Sequence, residues 1–175
     1  MREILRKYPN CEFGRELFPG NPVPILRVSG GKTTADVADW GYLTQKGKRV
    51  YNARSETLLE KPLFGKDFVQ NRCVIPVTGF CEWDGDGIGW DFLPQEEEML
   101  YLAGVCRKKT EGWEATVVTE HAAGCVGEIH HRTPLILSGE NLRQWLYDET
   151  QARQFLEEAK ERVLLKRKKM EGETL

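Results

Sequence analysis

The sequence lacks several features that would assign the chain to a common functional class. It contains no run of about 18 apolar residues, which a membrane-spanning helix requires, and no apolar secretion signal follows Met1. Its five cysteines form no C-x-x-C pair, and no dinucleotide-binding or phosphate-loop glycine motif is present. We therefore expect a cytoplasmic protein with reduced cysteines, no membrane association and no cofactor.

The chain also has no excess of positive charge. The chain has 25 Lys and Arg against 27 Asp and Glu, which gives a net charge of −2. This balance argues against a protein coated in positive charge for duplex DNA, where affinity comes mainly from neutralised phosphates. A binder of single strands needs only a few basic residues beside aromatic stacking surfaces, and the five tryptophans leave room for such a surface.

The length and the pattern of apolar residues predict one α+β domain over residues 1–175. Alternating and β-branched stretches predict strands, and proline makes the first of them an edge strand. The predicted strands cover residues 25–28, 35–42, 73–83, 99–106, 113–119 and 135–137. Their order favours a mainly antiparallel, partly closed sheet.

Helices are predicted on both sides of these strands. A short helix over residues 2–8 ends before Pro9, and residues 56–71 read as two helical pieces broken near Pro62. Apolar residues at helical spacing begin after Gly139. Residues 150–175 are predicted to form a C-terminal helix and basic tail, in which the basic run 166–169 is a solvated helix end or tail.

Glu82 is the clearest single candidate for a residue that transfers protons. It lies between Cys81 and Trp83 at the end of an apolar strand, where partial desolvation would raise the pKa of its carboxyl group toward the range useful for proton transfer. An outward-facing strand residue is the alternative, because alternate residues of a strand face opposite sides.

His130 and His131 form a second candidate group beside Arg132. An imidazole at this place could serve as acid or base near neutral pH, and an ordinary surface or core position is the alternative for each histidine. The adjacent histidines suggest a metal, but no third ligand follows at a known spacing, so no metal site is predicted. Asn52 is compatible with a turn or a functional role.

Taken in order, four motifs resemble those of the SOS-response-associated peptidase family. Trp40-Gly41-Tyr42 precedes them, and the resemblance covers roughly residues 15 to 148. The motifs are Asn52-Ala53-Arg54-x-Glu56-Thr57, Arg72-Cys73-Val74-Ile75-Pro76, Gly79-Phe80-x-Glu82-Trp83 and Ile129-His130-x-Arg132-x-Pro134.

The resemblance implies a barrel-like β core with flanking helices and a groove for single-stranded DNA that carries an abasic site. In the family, an N-terminal cysteine exposed by removal of the initiator methionine reacts through its amine and thiol with the abasic aldehyde, and a thiazolidine crosslink results. By motif position, Asn52 would orient the cysteine or sugar, Glu82 would move protons and His130 would assist as a second acid or base. Arg54 would hold phosphate. The rest of the DNA-binding set implied in this way is Trp40, Trp83, Arg132 and Thr119.

The N-terminus differs from the family pattern. Family members begin Met-Cys-Gly-Arg, whereas this chain begins Met1-Arg2-Glu3, and none of its cysteines is an obvious substitute. We expect either that the true start lies upstream and supplies the cysteine, or that this is a shortened member. A non-catalytic remnant that binds single-stranded DNA and a cysteine peptidase using Cys125 beside His130 stay open as alternatives. A monomer is expected.

Overall fold

The computed structural model describes residues 16–96, 98–158 and 163–170, so the helix predicted over residues 2–8 and Cys11 lie outside the described residues. The strands are β1 (Pro22–Ser29), β2 (Lys32–Trp40), β3 (Tyr42–Leu43), β4 (Arg49–Val50), β5 (Asn52–Arg54), β6 (Arg72–Val77), β7 (Phe80–Trp83), β8 (Gly89–Pro94), β9 (Leu100–Lys108), β10 (Trp113–His121), β11 (Arg132–Pro134), β12 (Ile136–Leu137) and β13 (Leu165–Lys169). The helices are α1 (Gly65–Gln70), α2 (Gly124–Gly127), α3 (Gly139–Tyr147) and α4 (Glu149–Glu157), with a 3₁₀ turn over Ser55–Thr57. No helix in these ranges is long and apolar enough to cross a membrane.

The largest sheet closes on itself through five strands. β2 pairs with β1, β1 with β6, β6 with β9 and β9 with β10, all antiparallel, and a parallel pairing of β10 with β2 completes the ring. β5, β11 and β12 extend this sheet at β10 and β9. The prediction of an α+β fold with a mainly antiparallel, barrel-like core is therefore confirmed.

The edge position predicted for residues 25–28 is wrong, because β1 has a partner on each side. β2 pairs with it along its whole length, and β6 pairs with it at Leu26 and Arg27. The prolines are still accommodated, since Pro22 and Pro24 precede the part of β1 that pairs with β6. The missing N–H of each proline therefore costs no hydrogen bond to that strand.

The strand predicted over residues 73–83 is two strands in different sheets. β6 belongs to the ring, whereas β7 pairs with β8 in a three-stranded sheet whose other edge is β13. The chain changes sheet at Gly79, where a Cβ atom would lie 2.7 Å from the carbonyl oxygen of Phe92. Only glycine permits this close approach of two backbones.

The basic run 166–169 lies in β13 and not in a helix end or tail. Its side chains are exposed as expected, but its backbone pairs with β8 from Leu165 to Lys169. Tertiary pairing therefore overrides the helical preference of lysine and arginine in this segment. The C-terminal helix predicted from residue 150 corresponds to α4, which ends at Glu157.

Two apolar clusters fill the two faces of the ring strands. Cys73 and Ile75 contribute to one cluster and Val74 to the other, as the alternation of a strand requires. The cluster of Val74 is covered by α1, α3 and α4 and contains the fully buried rings of Tyr42, Phe68 and Trp145.

Arg72 joins the helices to the ring. Its buried guanidinium donates from Nε to the carbonyl oxygen of Trp145 at 2.6 Å and from Nη1 to that of Phe68 at 2.7 Å. These carbonyls belong to the last turns of α3 and α1, where no intrahelical donor is available. The Trp145 indole in turn donates to the Cys73 carbonyl at 2.9 Å. One side chain thus caps two helices against β6.

We expect Arg72→Met to lower the free energy of unfolding by about 2–4 kcal/mol, because it leaves two buried carbonyl oxygens without donors. Urea unfolding followed by circular dichroism measures this change. Arg143→Met is the control, since Arg143 lies over the ring of Tyr147 on the surface of α3 and its loss should cost under about 0.5 kcal/mol. Equal effects of the two substitutions would contradict a capping role.

Candidate active site

Glu82 and His130 meet at the border between the two larger sheets. Glu82 lies on β7, and His130 lies between α2 and β11. The Oε2 atom of Glu82 is 3.6 Å from Nδ1 of His130, and the two side chains are 26% and 33% exposed. The structure therefore brings together the two residues that the sequence singled out for proton transfer.

Strand register directs Glu82 toward this place. Glu82 lies opposite Trp90 of β8, and Cys81 lies opposite Asp91, so the two neighbours face opposite sides of the sheet. Burial raises the pKa of Glu82 above its usual range, while the charge of His130 and the backbone N–H of Trp83 lower it in part. Glu82 is thus a carboxyl group whose protonated form is favoured by its surroundings.

The backbone of Arg132 holds the imidazole of His130. Nδ1 lies 3.0 Å from the carbonyl oxygen of Arg132 and 3.2 Å from its backbone nitrogen. Nδ1 donates to this carbonyl in one tautomer and accepts from the Arg132 backbone N–H in the other. In the tautomer that has its proton on Nδ1, Nε2 is the nitrogen that can accept a proton.

The guanidinium of Arg132 forms the densest polar cluster of the site. Nη1 and Nη2 donate to the two carboxylate oxygens of Glu56 at 2.6 and 3.1 Å. Nη2 also donates to the carbonyl oxygen of Thr119 at 2.6 Å, with the Thr119 hydroxyl at 3.3 Å. Because the side chain is 12% exposed and bound on two sides, Arg132 supports the site from within.

Glu56 and His121 are members of the site to which the sequence analysis gave no role. The hydrogen bonds from Arg132 lower the pKa of Glu56, and Nε2 of His121 lies 3.3 Å from its Oε1. Glu56 lies within the first motif of the family resemblance, and that motif is the one sequence feature that points to this residue. No sequence feature indicated His121 as a site residue. Its position next to Glu56 depends on how far β10 extends.

Asn52 and Arg54 approach the site from β5. This strand runs parallel to β10, with Asn52 beside Val117 and Arg54 beside Thr119. Both side chains are exposed, and within the described ranges neither makes a hydrogen bond or ion pair. Arg54 is therefore next to the threonine that binds Arg132, while Asn52 makes no hydrogen bond with Glu82 or His130.

The two predicted tryptophans occupy different surroundings. Trp40 is partly buried, and its indole N–H donates to the carbonyl oxygen of Tyr51 at 3.1 Å. Trp83 is 52% exposed, and strand alternation puts it on the opposite face of β7 from Glu82. Its part in lining a groove beside Glu82 stays a prediction.

The contacts of His130 give little support for a catalytic cysteine beside it. Those given by the described residues are to Glu82, the Arg132 backbone and the ring of His131, none of which is a thiol. Cys125 points its thiol at the carbonyl oxygen of Leu165, 3.7 Å away. Burial and the neighbouring Asp91 raise the pKa of Cys81 to about 12, which disfavours a thiolate.

Potential metal ligands are likewise dispersed. The histidine, cysteine and carboxylate side chains of the described residues form no group of three that could hold a metal ion. The adjacent pair His130 and His131 interact ring to ring instead, with centroids 4.5 Å apart.

The two carboxylates of the site should have opposite effects on stability. The pKa of Glu82 is raised on folding, so its favourable contribution is complete at low pH and is lost as pH rises through the folded pKa. Glu82→Gln should therefore raise the free energy of unfolding at pH 7, by about 0.5–2 kcal/mol, and the gain should disappear at low pH.

The pKa of Glu56 is lowered, so its contribution is present above the unfolded pKa and is lost as pH falls through the folded one. Glu56→Gln should lower the free energy of unfolding at pH 7 by about 0.2–1 kcal/mol, because solvent screens this 38% exposed carboxylate, with a smaller loss in acid. Denaturant unfolding of both variants from pH 3 to 8 tests the pair. Parallel pH profiles would contradict these environments.

Comparisons with known proteins agree on the family. The model of the SOS response associated peptidases (SRAP) matches residues 7–171. The abasic site processing protein YoqW of Bacillus subtilis is 33% identical over 119 residues, which are 63% of this chain and 53% of that protein. YedK of Escherichia coli, also named an abasic site processing protein, is 29% identical over 140 residues, 75% of this chain and 63% of that one.

The chain therefore spans about half the length of relatives such as YoqW. A crystal structure of a Bordetella bronchiseptica protein has the same fold, with a TM-score of 0.77 and 22% identity over 95% of this chain and 94% of that one. The match to the family model covers nearly all of the described structure, including every element that carries Glu82, His130 and Arg132. The chain belongs to the SOS response associated peptidase family.

Proposed function

We propose that this chain binds single-stranded DNA containing an abasic site and that Glu82 and His130 transfer protons when the abasic aldehyde reacts with an amine. The observation that carries the proposal is the Glu82–His130 pair, 3.6 Å apart and partly buried. The names of the relatives, which are abasic site processing proteins, support an abasic site as the substrate.

The chemistry requires an acid and a base at one place. The amine attacks C1′ of the ring-opened sugar and gives a carbinolamine, and water then leaves to form an imine. The leaving hydroxyl takes a proton from an acid, and a base removes a proton from the nitrogen. Glu82, whose pKa is raised by burial, supplies the acid, and Nε2 of His130 supplies the base.

The family resemblance adds the last step. In family members the amine and the thiol belong to one N-terminal cysteine, and addition of the thiol to the imine closes a thiazolidine ring. This step forms one C–S bond and transfers the thiol proton to the former imine nitrogen, so no oxidant or reductant is needed. His130 is the group proposed to relay that proton.

The DNA strand is proposed to approach along β5. Arg54 is exposed beside Thr119 and is suited to bind a phosphate, while Asn52, two residues earlier, orients the sugar or the nucleophile. Arg132 acts on DNA indirectly, because its guanidinium is already bound by Glu56 and Thr119. A single strand fits this surface better than a duplex, since the reacting C1′ must reach a recessed pair.

Covalent trapping with single-stranded DNA that contains one abasic site tests the proposal. The chain as printed is compared with a version extended at its N-terminus by the family segment that begins Met-Cys-Gly-Arg. We expect the extended protein to form a heat-stable adduct on a denaturing gel without borohydride. Glu82→Gln in that protein should slow adduct formation by about 10²–10⁴-fold, the usual contribution of a positioned acid or base.

Glu60→Gln is the matched control, because Glu60 is an exposed glutamate outside the site. Its adduct should form at the rate of the extended parent protein. Equal rates for the two variants would remove Glu82 from the chemistry. DNA binding without any adduct from either protein would instead favour a non-catalytic single-strand binder.

A further inference from the structure

The strand β13 forms one edge of the three-stranded sheet. It pairs with β8 along one side, and within the described ranges no strand pairs with its other side. The run Lys166-Arg167-Lys168-Lys169 makes up most of this strand, and all four side chains are exposed. An edge strand presents a row of unpaired N–H and C=O groups to any chain that can pair with it.

The register of the ladder decides which backbone groups point outward. The N–H of Met170 donates to the carbonyl oxygen of Gly89 at 2.9 Å. Hydrogen-bonded and non-hydrogen-bonded positions alternate in an antiparallel ladder, so the even-numbered residues of β13 point their backbone groups at β8. The N–H and C=O groups of Arg167 and Lys169 therefore point away from β8, and none of them has a hydrogen bond to a described residue.

The first outward position of the strand is already occupied. The carbonyl oxygen of Leu165 accepts from the side-chain amide of Gln95 at 2.9 Å and lies 3.7 Å from the thiol of Cys125. No comparable contact is given by the described residues to the outward carbonyl oxygens of Arg167 and Lys169. These two positions form the part of the edge that a further strand can use.

Charge restricts the kind of strand that fits this edge. The run 166–169 holds four basic residues and no acidic one, and Arg167 is bound to Glu128. Like charges opposite each other destabilise a strand pair, whereas opposite charges stabilise it. A second copy of β13 would bring lysines opposite lysines, and lysine on an edge strand is a common means of preventing such self-pairing. A strand rich in Asp and Glu has the complementary charge.

We propose that the open edge of β13 binds an extended acidic segment of another protein, which pairs with β13 as an additional strand. The backbone of the segment exchanges hydrogen bonds with Arg167 and Lys169. Its carboxylates lie opposite the basic side chains of residues 166–169. Backbone pairing supplies affinity in this mode of recognition, and the side chains supply specificity.

The bound segment would lie beside the candidate active site. Glu82 lies on β7, at the opposite edge of the same sheet. Neighbouring strands are about 4.8 Å apart, so a strand added to β13 lies about 14 Å from β7. The partner is thus held near Glu82 without covering it. This interaction does not depend on the proposed chemistry of Glu82 and His130.

Fluorescence anisotropy with a short labelled peptide of alternating Glu and Thr tests the backbone pairing. We expect saturable binding, and no binding of the matched peptide in which Lys replaces Glu. Lys169→Pro removes an outward N–H that β8 does not use, so the fold should be retained. It should weaken binding by about 2- to 12-fold more than Lys169→Ala, which is the worth of one hydrogen bond.

A second pair of variants tests the charge and does not alter the backbone. Lys166→Glu should weaken binding of the acidic peptide by about 2- to 20-fold, because a cross-strand attraction becomes a repulsion. Lys66→Glu is the matched control, since Lys66 is exposed on α1, away from β13. Its affinity for the peptide should stay within about twofold of the parent chain.

Two results would overturn the proposal. One is the absence of saturable binding of the acidic peptide to the parent chain, which would leave the basic edge with a protective role alone. The other is equal affinity of Lys169→Pro and Lys169→Ala, which would show attraction by charge without strand pairing, as a nucleic acid backbone would also experience. If Lys169→Pro fails to fold, equal affinities of Lys166→Glu and Lys66→Glu would overturn it instead.

Discussion

The guanidinium of Arg132 is the interaction on which the rest of the site depends. It joins the 3₁₀ turn after β5 through Glu56 to β10 through Thr119, while its own backbone on β11 holds the ring of His130. Its Nε atom is buried and has no hydrogen-bond partner among the described residues, a cost that the other four contacts must offset. The charged guanidinium therefore fixes the 3₁₀ turn, β10 and β11 relative to one another. The position of the imidazole follows from that arrangement.

Two glutamates within this small region have opposite environments. Glu56 accepts two charge-assisted hydrogen bonds, which lower its pKa and keep it ionised as the partner of Arg132. Glu82 is desolvated and has only a 3.6 Å contact with His130, so its pKa is raised and it can hold a proton. One carboxylate is thus suited to hold the structure and the other to transfer protons. Divergent pKa values in neighbouring carboxyl groups are how proteins separate such roles.

Local pattern was enough to predict much of the fold and to single out Glu82 as a candidate site residue. Alternation identified the strand cores around Val74, and the raised pKa of Glu82 was expected from one carboxylate inside an apolar strand. The sequence pattern failed to predict secondary structure that depends on a distant pairing partner. In β13, a lysine-rich sequence forms a strand because it pairs with the edge of β8. The pattern also failed for Glu56, since its partner Arg132 is 76 residues away and no local signal can indicate such a pair.

The spacing of Glu82 and His130 depends on how two separate sheets pack. His130 is tied to β10 through Arg132, whereas Glu82 belongs to the three-stranded sheet with β8 and β13. That sheet is anchored by Phe80 and Phe92, whose rings stack at 5.2 Å and share the apolar cluster of the ring strands. Phe80 lies two residues before Glu82 and so faces the same side of β7. The apolar packing that fixes Phe80 therefore also sets the distance between Glu82 and His130, the two groups proposed to transfer protons.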